Sequence, residues 1–440
     1  MRLKIPAGAG LIIQKLKEHG FEAYVVGGCV RDGILGREPD DWDITTSASP
    51  CEVKQIFNRT VDTGLQHGTV TVLIGSRGFE VTTYRIDGEY EDGRHPKEVV
   101  FTRSLREDLR RRDFTINAMA YNDEGGLVDL FGGMGDLQRH IVRCVGDPAE
   151  RFGEDALRIM RAVRFAAQLD FTIDGSTREA LTRLAPTLKR ISAERVQAEL
   201  VKLLISGHPE YIGIAWETGI TGAVLPEFDA AAGVYQHTPH HMDTVGVHTL
   251  KALCAVRADK VLRLAMLLHD LGKAETKKTG DDGIDHFPGH GEESASLAGE
   301  ILRRLKFDND TVTKVVNLVR WHDIRYEAES AAVRRMLSVT GREMFPLYME
   351  VQRADVLAQS EYKREEKLEK LADIQRLYEE TLAAGYCTSL RELAVTGRDL
   401  TARGVPAGPG LGAMLKDCLA LVLEEPEKNT KEALLGYLGL

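Results

Sequence analysis

Residues 27–46 read GGCVRDGILGREPDDWDITT and follow AYVV, a short run rich in β-branched and aromatic side chains. Such a run predicts a β-strand, and the two glycines after it predict a turn into a helix. A strand, a glycine turn and a helix leave backbone N–H groups at the helix N-terminus, where they suit a phosphate group. Gly28 and Arg31 are therefore candidate residues for binding an anionic ligand.

Two aspartates, Asp41 and Asp43, alternate in the next predicted strand, so we expect both carboxylates on one face. Two carboxylates suit Mg²⁺ that also contacts phosphate oxygens, and such ions can activate a hydroxyl group and stabilise a leaving pyrophosphate. An isolated Asp-x-Asp pair is more often two solvated surface groups. Because the glycine turn, this pair and a strand with Glu80 follow in order, we interpret Asp41 and Asp43 as catalytic metal ligands. Glu80 is a further candidate ligand.

The composition is that of a globular chain too long for one ordinary domain. Its 440 residues predict about three domains, and its 43% hydrophobic and 28% charged fractions are typical of globular proteins. The six cysteines form no Cys-x-x-Cys pair, which excludes a zinc ribbon and indicates a reducing compartment. The N-terminus lacks the apolar core of a signal peptide and no stretch is apolar enough to span a membrane, so we expect a cytoplasmic protein.

The pattern of apolar residues changes along the chain. Strand-like and helix-like segments mix up to about residue 146, whereas from residue 154 the apolar residues recur near the helical period. This predicts an α+β head on a mixed sheet followed by an all-helical remainder. Eight of the 13 histidines lie between residues 237 and 322, which marks a separate unit with its own chemistry. The predicted domains are the head at 1–146, a helical neck at 147–235, the histidine-rich domain at 236–360 and a helical tail at 361–440.

Residues 27–46 resemble the first motif of class II tRNA nucleotidyltransferases and bacterial poly(A) polymerases, which belong to the DNA polymerase β superfamily. The resemblance continues in family order through EDLRRRDFTINAMAY, VGDPAERFGEDALRIMRAVRFAAQLDF and RISAERVQAELVKLL, and ends at residue 204. It implies a nucleotidyltransferase head that uses Mg²⁺, CTP and ATP and acts on the 3′ end of tRNA, with an RNA-binding neck.

The resemblance also implies roles for individual residues. Asp41 and Asp43 match the catalytic metal ligands. The residues that match the motif holding the ribose and triphosphate are Arg112, Asp113 and Asn117. The EDxxR motif of the family corresponds to Glu154, Asp155 and Arg158, of which the last two read the incoming base.

An aspartate acceptor beside an arginine donor fits cytosine and adenine, because both present an amine next to a ring-nitrogen acceptor. Asp155 and Arg158 are three residues apart, which on a helix makes them neighbours; the alternative is an ordinary surface salt bridge. Arg158, Arg161 and Arg164 recur every three residues and form an arginine stripe, which makes Arg161 a further nucleotide-binding candidate. The net charge of −10 argues against broad nucleic-acid binding, but this stripe and RSLREDLRRR at 103–112 supply local positive charge.

Three related activities share these motifs. The segment TTYRIDGEYEDGRHPKEVVF at 82–101 resembles the flexible loop of enzymes that add the terminal A, which disfavours addition of CC only. The C-terminus lacks the basic tail usual in poly(A) polymerases of this class. We therefore expect a complete CCA-adding enzyme, with A-only addition, polyadenylation, or a phosphohydrolase with a non-catalytic RNA-binding head as alternatives.

The histidine-rich domain resembles the HD family in LAMLLHDLGK, GHGEESASLAGEIL and LVRWHD. The expected ligands of a divalent transition metal are His248, His269, Asp270 and Asp355, with His290 and His322 at a second metal position. Imidazole and carboxylate suit several such metals, and the sequence does not choose among them. We expect hydrolysis of a phosphomonoester or 2′,3′-cyclic phosphodiester, with Lys273 as a possible phosphate contact.

Overall fold

The structure is a computed structural model that describes residues 2–87 and 99–440. The middle of the loop-like segment at 82–101, residues 88–98, lies outside the described residues. The chain divides into two compact units, Met1–Pro226 and Glu227–Leu440. The predicted border at 235/236 therefore falls inside the second unit, shortly after its start. The division into four domains remains a prediction.

The first unit is built on a mixed seven-stranded sheet, as the sequence predicts. Its strands occur in the order β3-β4-β5-β2-β1-β8-β9, with β2 and β5 parallel and the other neighbours antiparallel. The strands of this unit are β1 Ala23–Val26, β2 Ile44–Thr46, β3 Thr60–Gly64, β4 Thr69–Ile74, β5 Arg77–Thr83, β6 Arg85–Asp87, β7 Val99–Phe101, β8 Met119–Asn122, β9 Gly126–Asp129, β10 Ile141–Val142 and β11 Thr172–Ile173. Two small ladders, β6 with β7 and β10 with β11, stand apart from this sheet.

Helices cover the sheet and make up the rest of the first unit. They are α1 Ala7–Glu18, α2 Gly28–Ile34, α3 Pro50–Ile56, α4 Leu105–Arg110, α5 Gly133–Gln138, α6 Pro148–Glu154, α7 Leu157–Leu169, α8 Gly175–Leu184, α9 Ala193–Leu204, α10 Ile212–Glu217 and α11 Ile220–Val224. Helix α7 is buried on most of its surface and packs against α9. The pair belongs to the helical part of this unit, together with α6, α8, α10 and α11.

The second unit is almost entirely helical, which also agrees with the sequence. Its helices are α12 Pro226–Ala232 at the border, α13 Val245–Ala255, α14 Lys260–Leu268, α15 Lys273–Thr276, α16 His290–Arg304, α17 Asn309–Trp321, α18 Ser330–Thr340, α19 Phe345–Ala358, α20 Arg364–Ala383, α21 Gly397–Thr401, α22 Pro409–Glu424 and α23 Lys431–Tyr437. A short ladder joins β12 Lys278–Thr279 and β13 Asp285–His286. None of the described helices is long and apolar enough to cross a membrane.

The predicted strand around Asp41 and Asp43 is shorter than expected. Strand β2 begins at Ile44, so both aspartates lie in the segment just before it. The Asp43 carbonyl already accepts a hydrogen bond from the Val26 N–H at 3.0 Å, which aligns this segment with β1. Asp41 and Asp43 are exposed while Trp42 and Ile44 are buried, so the expected alternation persists outside the assigned strand.

The helix predicted from residue 154 begins later, at Leu157. Helix α6 ends at Glu154 and α7 begins at Leu157, with Asp155 in extended conformation between them. The Asp155 carboxylate accepts the Leu157 N–H at 3.0 Å. A short carboxylate that bonds a nearby backbone N–H competes with the helical pattern, which explains the break. The prediction that Asp155 and Arg158 are neighbours on one helix face is therefore wrong.

Candidate active site of the head and candidate metal centre

The glycine turn brings the start of α2 close to an arginine. Gly27 has φ +81°, a conformation that favours glycine. A Cβ atom at Gly27 would lie 3.0 Å from Nη1 of Arg112, so a side chain there would crowd the guanidinium group. Gly28 is the first residue of α2. The turn therefore places the helix N-terminus beside a cation, as an anion-binding site requires.

Four residues predicted to bind nucleotide form one hydrogen-bonded chain. Nη1 of Arg31 donates to Oδ1 of Asn117 at 2.6 Å, and Nδ2 of Asn117 lies 3.4 Å from Oδ1 of Asp113. Arg161 donates to Oδ2 of Asp113 from Nε at 2.8 Å and Nη2 at 2.6 Å. Burial alone would raise the pKa of Asp113, but the guanidinium groups of Arg161 and Arg158 lower it to about 2. The carboxylate therefore stays ionised.

The three candidate Mg²⁺ ligands influence one another electrostatically. Desolvation by the surrounding protein raises the pKa of Asp43 although its side chain reaches solvent. Glu80 and Asp41 raise this pKa further, and Arg112 opposes them. A divalent cation would relieve this crowding, so the donor set fits Mg²⁺. Among the described residues, the clusters of three ligand atoms within 4.8 Å of one another do not include Asp41, Asp43 or Glu80.

Asp108 is a buried residue that the sequence interpretation did not single out. It accepts hydrogen bonds from Nε of Arg111 at 2.9 Å, Oγ1 of Thr45 at 3.1 Å and Nη2 of Arg112 at 3.4 Å. Burial would raise its pKa, but the two arginines lower it below the ordinary value. Asp108 thus ties Arg112 to β2 next to Asp43. The spacing of Asp108 from the two arginines was the only sequence signal for this role.

The predicted base-reading residues have separate partners. Asp155 forms a two-pronged ion pair with Arg195, at 3.3 Å from Oδ1 to Nη1 and 2.6 Å from Oδ2 to Nη2. Arg158 donates from Nη1 to Oε2 of Glu154 at 2.5 Å and from Nη2 to the carbonyl of Arg111 at 3.0 Å. The alternative of a surface salt bridge between the two does not describe this arrangement. Arg195 was not predicted, because its partner is distant in sequence.

Arg158 and Arg164 of the arginine stripe on α7 are buried, whereas Arg161 is partly exposed. Arg158 and Arg164 are only 9% and 6% exposed. Arg164 pairs with Glu199 of α9 at 2.5 Å, and its guanidinium carbon lies 3.7 Å from the centre of the Phe165 ring. Arg164 therefore joins α7 to α9.

In the second unit, the six predicted metal ligands lie together. They come from α13, the end of α14, the start of α16, the end of α17 and α19, and are all buried: His248, His269, Asp270, His290, His322 and Asp355. Two clusters of three ligand atoms share Asp270, one with His248 and His269 and one with His290 and His322. The structure therefore brings the six predicted ligands together, and five of them form two groups that share Asp270.

Asp270 lies between the two groups of histidines. Its Oδ2 is 3.3 Å from Nε2 of His269 and 3.6 Å from Nε2 of His248. Its Oδ1 is 3.6 Å and 3.5 Å from the Nε2 atoms of His290 and His322. Oδ1 is buried and has no hydrogen-bond partner, a costly state for a carboxylate oxygen that a cation would relieve.

Hydrogen bonds orient three of the imidazoles. The Nδ1–H groups of His269, His290 and His322 donate to backbone carbonyls at 2.7, 2.8 and 2.6 Å. In the neutral ring the Nε2 atom then carries a lone pair, and these atoms face the cluster. The Nε2 atoms of His248 and His269 lie 3.2 Å apart, and so do those of His290 and His322. Facing lone pairs held by outer hydrogen bonds are the usual arrangement around a bound metal.

Cationic and amide groups hold the two carboxylates from outside the cluster. Lys273 donates to Asp270 and to Gln236, both at 2.7 Å, and is buried. Asp355 lies 3.1 Å from His248 and accepts from Arg325 at 2.9 Å. Burial would raise the pKa of both carboxyl groups, but neighbouring histidines and these cations hold both well below the ordinary range. The predicted phosphate contact by Lys273 therefore competes with a bond to Asp270.

The cluster opens into a cavity of about 730 Å³. Asp270, His290, His322 and Asp355 line it on one side. Five cationic side chains also line it, namely Lys273, Arg325, Lys363, Lys367 and Lys370, together with the carboxylates of Asp285, Asp323 and Glu366. A cavity of this size accommodates a nucleotide-sized ligand, and its cations suit phosphate groups.

Comparison with known proteins covers nearly the whole chain. A CCA-adding enzyme of Levilactobacillus brevis is 39% identical over 426 residues, which are 97% of this chain and 95% of that protein. The chain belongs to the CCA-adding enzyme family. A CCA-adding enzyme of Limosilactobacillus reuteri is 52% identical over 228 residues, but that match spans about half of each protein, 52% and 53%.

Family models and a solved structure agree with this membership. Residues 23–143 match the poly A polymerase head domain, 170–232 a probable RNA and SrmB-binding site of polymerase A, and 292–438 a putative tRNA nucleotidyltransferase domain 2. The crystal structure of the Bacillus stearothermophilus CCA-adding enzyme in complex with CTP is 31% identical, covers 99% of this chain and 98% of its own, and gives a TM-score of 0.73. The family resemblance of the head is thereby confirmed, and the HD resemblance stays a prediction.

Proposed function

We propose that this protein adds C, C and A to the 3′ end of tRNA, using CTP and ATP and releasing pyrophosphate. The hydrogen-bonded chain from Arg31 to Arg161 carries the proposal, together with Arg112, whose charge acts on the Asp43 carboxylate. The solved structure of a similar family member contains CTP, which supports CTP as a substrate. The tRNA 3′ hydroxyl would attack the α-phosphorus while the bond to the leaving pyrophosphate breaks.

Residues of the head would have different roles in this nucleotide addition. Asp41 and Asp43 would hold Mg²⁺, which supplies positive charge to the phosphates when it is bound. Arg31 and Arg112 would bind the triphosphate at the N-terminus of α2. Asp113 and Asn117 keep Arg161 and Arg31 in place, so the anion-binding groups are oriented before substrate arrives.

Base selection would use Asp155 and Arg158. Arg195 holds the Asp155 carboxylate, which keeps a free acceptor position for the exocyclic amine of C or A. Nη1 and Nη2 of Arg158 already donate to Glu154 and to a backbone carbonyl. An incoming base would therefore take the place of one of these acceptors.

The test uses tRNA that ends before CCA, after C and after CC. With CTP, ATP and Mg²⁺ we expect three, two and one nucleotides to be added. Addition of A alone, and only to the CC-ended tRNA, would contradict complete CCA addition. Asp41→Ala and Asp43→Ala should abolish addition but leave tRNA binding, while Asp40→Ala, the exposed neighbour, should leave addition intact.

We infer a second activity for the other unit, a phosphohydrolase that depends on a divalent transition metal. The imidazole lone pairs and the unpartnered Oδ1 of Asp270 carry this inference. A bound divalent ion would polarise a phosphoryl oxygen, and the buried carboxylates would keep the site neutral enough to hold it. The substrate class would be a phosphomonoester or a 2′,3′-cyclic phosphodiester.

Metal analysis and hydrolysis of 2′,3′-cyclic AMP test the second activity. The purified protein should contain a divalent transition metal, and Asp270→Asn should lose both metal and hydrolysis. Asp310→Asn changes an exposed carboxylate of the same unit whose partner is Lys314, and serves as the matched control. Wild-type protein without metal and without metal-dependent hydrolysis would refute the inference. A head that binds tRNA but adds nothing would favour a phosphohydrolase with a non-catalytic head.

A further inference from the structure

We propose that the cavity of the second unit binds a ribonucleotide that carries two phosphates, and that Lys367 binds the phosphate farther from the histidine cluster. The proposal rests on the proposed phosphohydrolase activity and specifies its substrate. It makes Lys367 a specificity-determining residue outside the ligand set.

Lys367 is a cation with neutral partners. Its Nζ donates to Nδ1 of His240 at 2.9 Å and to Oε1 of Gln359. The accepting Nδ1 identifies His240 as a neutral imidazole. Two other lysines that line the cavity pair with glutamates. Lys363 lies 3.8 Å from Glu366, and Lys370 lies 2.9 Å from Glu327.

No carboxylate within 4.0 Å pairs with Lys367 among the described residues. The side chain is half-buried and lines the cavity. The carboxylates of Asp355 and Glu366 act on Lys367 from beyond ion-pair distance, and the guanidinium groups of Arg325 and Arg364 oppose them. A partly desolvated ammonium group with no carboxylate in contact would be stabilised by an anion that a ligand delivers. The cavity therefore has an anion position apart from the metal ligands.

An amide links this position to the histidine cluster and sets the distance between them. Nε2 of Gln359 donates to Oδ2 of Asp355 at 3.0 Å, while its Oε1 accepts from Lys367. With ordinary amide dimensions, the ammonium group lies within about 8 Å of the Asp355 carboxylate. A ribose with one phosphate at its 2′,3′ edge and another at its 5′ carbon spans a comparable distance.

The remaining wall of the cavity suits the nucleoside. Lys367, Lys370, Leu371 and Ile374 recur with helical spacing and form one face of α20, and Lys363 lies just before this helix. Ile284, Phe287 and Tyr326 line the cavity from other segments. Apolar and aromatic side chains beside clustered cations fit a base and its phosphates better than they fit a small inorganic anion.

The experiment compares two substrates that differ by one phosphate: adenosine 2′,3′-cyclic phosphate and its 5′-phosphorylated form. Wild-type metal-loaded protein should prefer the second by on the order of 10- to 100-fold in kcat/KM, the range of a charged hydrogen bond. Lys367→Gln should abolish the preference while kcat for the first substrate is maintained. Lys367→Arg should restore it, and Lys370→Gln, which loses a lysine already paired with Glu327, should retain it.

Other results would overturn the assignment. Equal use of both substrates by wild-type protein would exclude a second phosphate site. A Lys367→Gln variant that loses kcat equally for both would show that Lys367 only positions Gln359 and Asp355.

An oligoribonucleotide with a cyclic phosphate end, used as well as the phosphorylated nucleotide, would identify an RNA end as the source of the second phosphate. Slower hydrolysis of the oligoribonucleotide would identify a free nucleotide as the source of the second phosphate. Both results support the two-phosphate site.

A binding measurement separates this inference from the proposed hydrolysis. If neither substrate is hydrolysed, the phosphohydrolase proposal fails, and calorimetry with adenosine 3′,5′-bisphosphate and adenosine 3′-monophosphate still tests the site. Tighter binding of the bisphosphate, lost in Lys367→Gln, would support the second phosphate position. Equal affinities would overturn it.

Discussion

Replacing Asp108 with asparagine tests how the head holds Arg112 beside the catalytic aspartates. The Asp108 side chain is fully buried and accepts two hydrogen bonds from guanidinium groups and one from Thr45. Removing one partner of a buried ion pair costs about 3–5 kcal/mol. The side chains of Arg111 and Arg112 are 17% and 19% exposed and can partly rehydrate, and asparagine keeps one acceptor oxygen. We therefore expect a loss of about 3 kcal/mol, the low end of that range.

The assay is urea unfolding of the full-length protein, read from amide hydrogen exchange in β2 so that it reports on the head. Nucleotide addition should fall as well, because Arg112 would no longer be fixed beside the Gly27 turn. Asp123→Asn is the control, since Asp123 and Arg2 form an exposed pair with a separation of 3.9 Å, and this change should leave both measurements unaltered. A loss below about 1 kcal/mol with normal nucleotide addition would refute the reasoning.

The pH dependence gives a second measurement on the same variant. Arg111 and Arg112 depress the folded-state pKa of Asp108 below the ordinary value of 3.8. A depressed carboxyl pKa stabilises the fold at pH values above the unfolded pKa, and this contribution is lost as pH falls through the folded pKa. The stability difference between wild type and Asp108→Asn should therefore be constant near neutral pH and shrink below pH 3.8. A difference that grows on acidification would contradict the assigned ion pairs.

Three further predictions concern other contacts. Arg195→Gln should lower kcat/KM for CTP and ATP about 10-fold by releasing Asp155, measured by single-nucleotide incorporation; unchanged values would exclude this positioning role. Gly27→Ala should destabilise the head by about 1–3 kcal/mol because of its positive φ and the nearby Arg112 Nη1 atom, measured by thermal unfolding, with Gly10→Ala in open space as the control. Chelation of the metal should lower the Tm of the wild-type protein but not that of Asp270→Asn. Equal decreases in Tm would show that the chelated metal does not stabilise the protein through the histidine cluster.

Local sequence patterns predicted much of the chemistry of this protein. The strand and glycine turn before Arg31, the alternation of Asp41 and Asp43, and the helical period after residue 154 all depend on interactions between near neighbours. The ligand candidates were predicted from residue type, because histidine and aspartate side chains are common ligands of divalent metals. The mixed sheet and the helical second unit followed from the same patterns.

Contacts between distant segments could not be predicted in this way. Asp155 breaks a helix that its neighbours would otherwise form, and its partner Arg195 belongs to α9. The pairing of Arg164 with Glu199 likewise turns a surface-like arginine stripe into an internal contact. Side-chain partners of this kind depend on which helices pack together, and apolar periodicity does not specify partners.

The sequence by itself determined the family, the α+β head, the helical remainder and the identities of the candidate ligands, because these depend on residue type, order and local spacing. Only the tertiary structure decided that Asp270 lies between two pairs of histidines, that Asp108 holds Arg112, and that Lys367 faces a cavity with neutral partners. Each of these depends on distances between side chains far apart in the chain, which are set by the packing of several helices at once.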